Sequence, residues 1–243
     1  MSNTVRFGLS KLAIAVKGVP AGSTWAATTV YALDDYVTAN GNLYKVTTAG
    51  TSGSTAPTWP ASGTVTDGTV TWAYVSAYTG YGVPIMIPGA NTLDISAEGK
   101  STTEYRDNGP YFSSFPNGGY SGTLQVARMP EEAMVAVYGW YIDSGGKLIE
   151  VADAKAKNVA LLYEVEGDED GERYAFYNTA MGRPTSKEST TSDSISLVDQ
   201  SIDITMSQTK IGGINVIKSS CSAGSADYDA WYDAVQLPKE AAA

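Results

Sequence analysis

The sequence predicts a mainly β fold with a small β-module inserted into it, on three observations. Apolar and polar residues alternate in short runs separated by Gly, Pro, Asn and Asp, the pattern of half-buried strands and their turns. Only two short stretches, one from Pro130 and one from Ser225, change to the period of a helix. Between residues 23 and 75 the composition shifts to Gly, Thr, Ser and aromatics in short strands, unlike the runs on either side.

The elements follow in chain order. "KLAIAV" is a first strand, and "PIMIPGANTLDISAEG" is a strand pair or a bent strand, with Pro88 and Gly89 marking a bulge or an edge. "GYSGTLQVARM" places Leu124 and Val126 on one face at period two. In "PEEAMVAVYG", Pro130 suits a first helical position and two acids complement the helix dipole. Met134, Val137 and Tyr138 form an apolar stripe, and Gly139 is a stop. "KLIEV" follows, and then "NVALLYEVEGDEDGERYAFYNTAM" reads as two strands joined by a turn at 167–171. "SISLVDQSIDITMS" and "GINVIKSS" read as a later pair around Gly212 and Gly213. "SADYDAWYDAVQLP" is expected to be a helix capped by Ser225, with Tyr228, Trp231, Tyr232 and Val235 on one face; the tail "KEAAA" is expected to fray.

The segment 23–75 reads as self-contained. "NGNLYKV" begins with a hairpin turn at Asn40 and Gly41, and in "DGTVTWAYV" Asp67 and Gly68 open a strand. These bracket the loop "TSGSTAPTWPASG".

Composition removes several function classes. A net charge of -10 in 243 residues argues against a surface that grips nucleic acid, which needs clustered Lys and Arg. The absence of His removes the commonest general base and the usual zinc ligand, so no enzyme and no cofactor are expected. The single cysteine, Cys221, excludes an internal disulfide and reads as packing. No run approaches the ~20 apolar residues of a membrane span, and Leu12–Val16 is too short for a signal-peptide core, so a soluble, unexported chain is expected.

Three chemical-looking features have plainer explanations. Glu166, Asp168 and Asp170 resemble the start of a calcium loop, but the twelfth position is Tyr177 rather than an acid, so a solvated acidic turn is expected. Glu131 and Glu132 are accounted for by the helix start. No glycine run forms a nucleotide-binding loop.

Three blocks outside the inserted segment carry a family resemblance. "FGLSKL", "IPGANTLDISAEGKSTTEYRDNGPYFSSFPNGGYSGTLQVARMPEE" and "YAFYNTAMGRPTSKESTTSDSI" resemble, in order, the major tail tube proteins of long, non-contractile-tailed bacteriophages. The resemblance implies a tail-tube β-sandwich with a flanking short helix. It implies hexameric rings, stacked around a lumen that conducts double-stranded DNA without gripping it. The implied partners are further copies of the chain, a tape measure protein and then DNA in the lumen, and terminator and tail-tip proteins at the ends. The implied location is the virion, with assembly in the host cytoplasm. On this reading "DNGPYFSSFPNGG" is an aromatic loop whose Asp107, Asn108, Tyr111, Phe112 and Phe115 contact a neighbouring subunit, because exposed rings need cover.

The tube domain is then residues 1–22 and 76–243, interrupted by an outward-facing module at 23–75 where a loop tolerates insertion. "STWAATTVYALDDYVTANGNLYKV" resembles small carbohydrate-binding modules of the chitin-binding type through Trp25, Tyr31, Asp35, Val37, Gly41 and Tyr44. Where that pattern continues with a tryptophan pair, this chain has Thr47 and Thr48. Trp25, Tyr31, Tyr44 and Trp72 are expected to form the core of the module, and Tyr36 and Trp59 are the candidates for stacking on a sugar. The alternative function is accordingly a tail-associated adhesin that binds host-surface carbohydrate.

Overall fold

The computed structural model describes residues 8–18, 23–166, 171–185 and 199–239. Asp168, Asp170, the stretch 186–198 and the last residues of the tail lie outside them. The protein is mainly β, and it divides into two compact units. The first comprises 1–14, 85–223 and 238–243; the second comprises 15–84 and 224–237. The second unit is therefore wider than the module expected at 23–75, and it takes in a C-terminal stretch that the sequence assigned to the tube domain.

Strand β1 (Leu9–Val16) opens the described chain, and the second unit continues it with β2 (Ser23–Thr24), β3 (Val30–Tyr31), β4 (Tyr36–Ala39) and β5 (Asn42–Thr48). It is completed by β6 (Gly50–Thr51), β7 (Thr64–Asp67) and β8 (Val70–Ala77). The five-stranded sheet runs in the order β2-β4-β5-β8-β7, and β3 pairs separately with β6. Asn40 and Gly41 both have positive φ, 49° and 73°, and join β4 to β5 in the two-residue turn that matches strand twist. Tyr31, Val37, Tyr44, Val46, Val70 and Trp72 form the core, which Trp25, Trp59 and Tyr74 flank.

The first unit continues with β9 (Ile85–Met86), β10 (Ala90–Ala97), β11 (Thr102–Arg106), β12 (Gly109–Ser114) and β13 (Tyr120–Val126). Helix α1 (Glu131–Tyr138) follows, then β14 (Tyr141–Ile142), β15 (Leu148–Ile149), β16 (Val159–Val165) and β17 (Glu172–Met181). The last strands are β18 (Gln200–Met206), β19 (Thr209–Ile211), β20 (Ile214–Val216) and β21 (Lys218–Cys221). The main sheet has the order β10-β13-β18-β17-β16-β1-β9, with β21 also on β17.

That order forces the sheet to curl. Its two ends, β9 and β10, are joined by Ile87–Gly89 alone. Six strand spacings at ~4.8 Å would separate them by roughly 29 Å in a flat sheet, against a reach of about 14 Å for the link. The sheet also forks at β17, whose one edge pairs with β21 through Arg173–Phe176 and then with β18 through Thr179–Met181. Leu12, Ile14, Leu124, Leu161, Leu162, Phe176, Ile202 and Ile204 are almost fully buried within it. Strand β18 keeps strict alternation, with Ile202, Ile204 and Met206 inside and Asp203 and Thr205 facing out.

Helix α1 forms where its period indicates. Pro130 sits one residue outside the helix, at the N-cap, with ψ 144°; Glu131 and Glu132 occupy the first turn, and Gly139 closes the end at φ 69°. Ala133, Met134, Val137 and Tyr138 are its buried face.

Three expectations are corrected. The stretch from Ser225 is a chain of tight turns, held by Tyr228 to Ser225, Trp231 to Tyr228 and Asp233 to Ala230 hydrogen bonds, each spanning three residues. Its Asp and aromatic residues have low helix propensity, and burial of Trp231, Ala234 and Val235 does not need a helix. The two late segments do not pair with one another: β18 joins β13 and β17, whereas Gly212 and Gly213 turn the local hairpin β19–β20. The bent-strand reading of 85–99 gives way to two separate strands that do not pair with one another, and Pro88 and Gly89 stand in the link between them, at the edges of the sheet order as the edge reading expected.

Candidate functional site

The first unit carries a hairpin, β11–β12, that pairs with no other strand among the described residues. Its register ends at Arg106 opposite Gly109, leaving Asp107 and Asn108 as a two-residue turn at φ 50° and 61°. Asp and Asn tolerate this left-handed backbone, which makes the pair a strong local signal for a tight hairpin. Thr103 and Ser113 hydroxyls meet across the strands at 3.2 Å, and Arg106 pairs with Glu104 at 3.7 Å. Between Phe112, opposite Glu104, and Pro110, opposite Tyr105, Tyr111 is an extra residue, a bulge that re-aims its neighbours.

The root of the hairpin is tightly built. The amide of Glu98 donates to the carbonyl of Gly119 at 2.9 Å, and the amide of Gly118 to the carbonyl of Glu98 at 2.8 Å. A Cβ on Gly99 would stand 2.5 Å from the Pro116 carbonyl oxygen, and one on Gly118 would stand 2.7 Å from that of Glu98. Backbone contact this close requires glycine.

Beyond the root the rings face solvent. Tyr105 is 70% exposed, Tyr111 76%, Phe112 57% and Phe115 80%. A two-stranded ribbon is marginal by itself in water, and burying a single ring of this size contributes about 1.5–3 kcal/mol. The arrangement is chemically an adhesive surface: four aromatic rings, a polar tip and two outer strand edges that pair with no other strand among the described residues.

All five sequence candidates, Asp107, Asn108, Tyr111, Phe112 and Phe115, lie on this hairpin or directly after it, in a strand pair rather than the loop expected. Tyr105 lies outside the segment 107–119 that carries the sequence candidates, on the partner strand β11, which shows no aromatic or turn cluster of its own. Tyr141 and Ile142 on the β14–β15 hairpin and Ile214 on β19–β20 are also exposed and stand outside the sequence candidates. Gly145 and Gly146 between β14 and β15 were a readable turn signal.

In the second unit, Tyr31, Tyr44 and Trp72 are buried and Trp25 is half-buried. The carboxylate of Asp67, itself buried, joins them to the long loop: it accepts from Trp25 Nε1 at 2.7 Å, from the Gly53 amide at 2.8 Å and from Trp72 Nε1 at 3.4 Å. Trp59 is half-buried, with its ring 4.5 Å from Tyr44 and 5.8 Å from Trp72, and Tyr44 donates to the Pro60 carbonyl at 2.8 Å. Trp59 thus anchors its loop to the core. Tyr36 is half-buried, with the Lys45 ammonium 5.8 Å from its ring centroid. The Lys45 ammonium donates to the Asp34 carboxylate at 2.8 Å, and this hydrogen bond, then the Tyr36 phenol, holds it above the usual lysine range. No ring-to-ring contact joins Tyr36 to Trp59, so the two sugar candidates do not form a single platform in the described geometry.

Among the described residues no three His, Cys, Asp or Glu side chains converge on a metal position. Cys221 is buried. Compared with known protein families the chain matches none, and no curated protein matches it.

Proposed function

We propose that this chain is a self-assembling structural subunit of a bacteriophage tail tube. Copies form rings, the rings stack, and the lumen conducts DNA to the host. The observation that carries the reading is the β11–β12 hairpin: it is stapled at its root, unpaired beyond it and lined with exposed aromatic rings, which suits a contact completed by another copy. The resemblance of the blocks around it to tail tube proteins gives the contact its context. The acidic balance of the chain suits a wall that DNA slides past, and the partners in the assembled tail are a tape measure protein, DNA, and proteins that close the two ends.

The test is sedimentation velocity over a concentration series, comparing the wild type with Tyr111→Ser/Phe112→Ser/Phe115→Ser. Wild-type chain is expected to associate and the triple variant to remain monomeric with an unchanged circular dichroism spectrum. Equal association of the two would remove the hairpin from the interface.

A second reading, a tail-associated adhesin acting through the second unit, draws on its resemblance to carbohydrate-binding modules. The commitment of Trp59 to Tyr44 and Trp72 gives it less support. Binding of the full chain to a chitin-type oligosaccharide, lost in Trp59→Ala or Tyr36→Ala, would favour it.

A further inference from the structure

We propose that the tip of the β11–β12 hairpin docks on a second copy of the chain at a cleft beside β20 and β21, a proposal that rests on the self-assembly reading above. The cleft, of about 380 Å³, is lined by Asn117, Tyr120, Gln208, Asn215 and the run Val216–Lys218. Its size is that of a pocket for a few side chains. Tyr120, Val216 and Ile217 supply apolar surface, and the three amides supply donors and acceptors.

Charge selects the occupant. In a chain of net charge -10, the lining of this cleft contains no acid. Its cation, Lys218, is held over the rings of Tyr174, Tyr120 and Phe176 at 5.4, 5.7 and 5.8 Å, and no carboxylate pairs with it among the described residues. Lys210 stands opposite Asn215 in the hairpin register, adding a second positive charge nearby. Cation–π contact fixes the ammonium in place without neutralising it.

The hairpin tip has the complementary character. Glu104 is paired with Arg106, which leaves Asp107 as the carboxylate at the turn with no cation partner among the described residues. Asn108 beside it matches the amides, and Tyr111 and Phe112 match the apolar side chains of the lining. Donor and acceptor are different surfaces of one chain, so the contact is head-to-tail, the kind that repeats along an axis rather than closing as a symmetric pair.

The test is a charge swap in the full chain, read as the concentration of half-assembly by sedimentation, with folding checked by circular dichroism. Asp107→Lys and Lys218→Glu are each expected to raise that concentration by about tenfold or more, and the double variant to return it to within about threefold of wild type. Asn215→Asp, at an exposed position outside the aromatic cluster, is expected to act in the same direction and to be rescued by Asp107→Lys. This keeps the test valid if Lys218→Glu unfolds. Neutral single variants, or a double variant as impaired as the sum of its parts, would overturn the cleft as the docking place. If the aromatic triple variant still blocked assembly in that case, the hairpin interface would survive and its partner surface would lie elsewhere. A wild type that never associates would overturn both.

Discussion

Asp67 shows how much one side chain can organise. Its buried carboxylate receives two indole N–H groups and one backbone amide, tying Trp25, Trp72 and the loop at Gly53 to one point. Replacing it with Ala leaves those donors facing an apolar core. Hydrogen bonds to a charged acceptor contribute about 1.5–3 kcal/mol, so Asp67→Ala is expected to destabilise the second unit by about that amount or more, read by urea unfolding followed through tryptophan fluorescence. An unchanged midpoint would contradict this role. Tyr138 makes a second prediction at the same scale. Its hydroxyl donates to the Gly182 carbonyl at 2.6 Å, and burial pushes its phenol above the ordinary tyrosine range. The folded state therefore keeps a proton that the unfolded chain releases near pH ~10, so stability is lost as pH rises above that value. Tyr138→Phe is expected to lower stability at pH 7 by about 1 kcal/mol and to flatten the decline above pH ~10. A decline of unchanged steepness would place its origin in other groups.

At the scale of elements, legibility followed how local the determining physics is. Helix α1 was readable because its acids, apolar stripe and terminal glycine lie within ten consecutive residues, Pro130 to Gly139. Gly139→Ala, which forces a side chain into the left-handed cap, is expected to cost about 1 kcal/mol in thermal or urea unfolding; no change would mean that the cap relaxes. The turn at Asn40 and Gly41 was equally local. The pairing of β18 was not legible, because its neighbours β13 and β17 are fixed by the curl of the whole sheet rather than by the nearest turn. The stretch from Ser225 shows the opposite limit. Its aromatic spacing imitates a helix, but its hydrogen bonds close after three residues and its propensity gives the helix no help. The contact candidates at 107–115 were found as a group because exposed rings in a turn-rich segment demand cover. Their organisation as a bulged hairpin required the strand at 102–106, which looks polar in isolation.

For the whole molecule, the division into two units reframes the insertion. The stretch 224–237 groups with 15–84, so excision of 23–75 alone strips the surroundings of a C-terminal segment that buries Trp231 and Val235. Under the structural reading, that deletion is expected to leave association intact while lowering the unfolding temperature. Loss of association without unfolding would instead place the second unit in the interface. The sequence conveyed the β class through alternation and the assembly reading through resemblance, whereas the curl, the fork at β17 and the cleft beside β20 and β21 depend on pairings between distant residues. The most direct test of the central claim is negative-stain electron microscopy of the purified chain over a concentration series. Rings or stacked tubes with an open channel wide enough for duplex DNA are the expected result. Particles that remain monomeric at every concentration would contradict it.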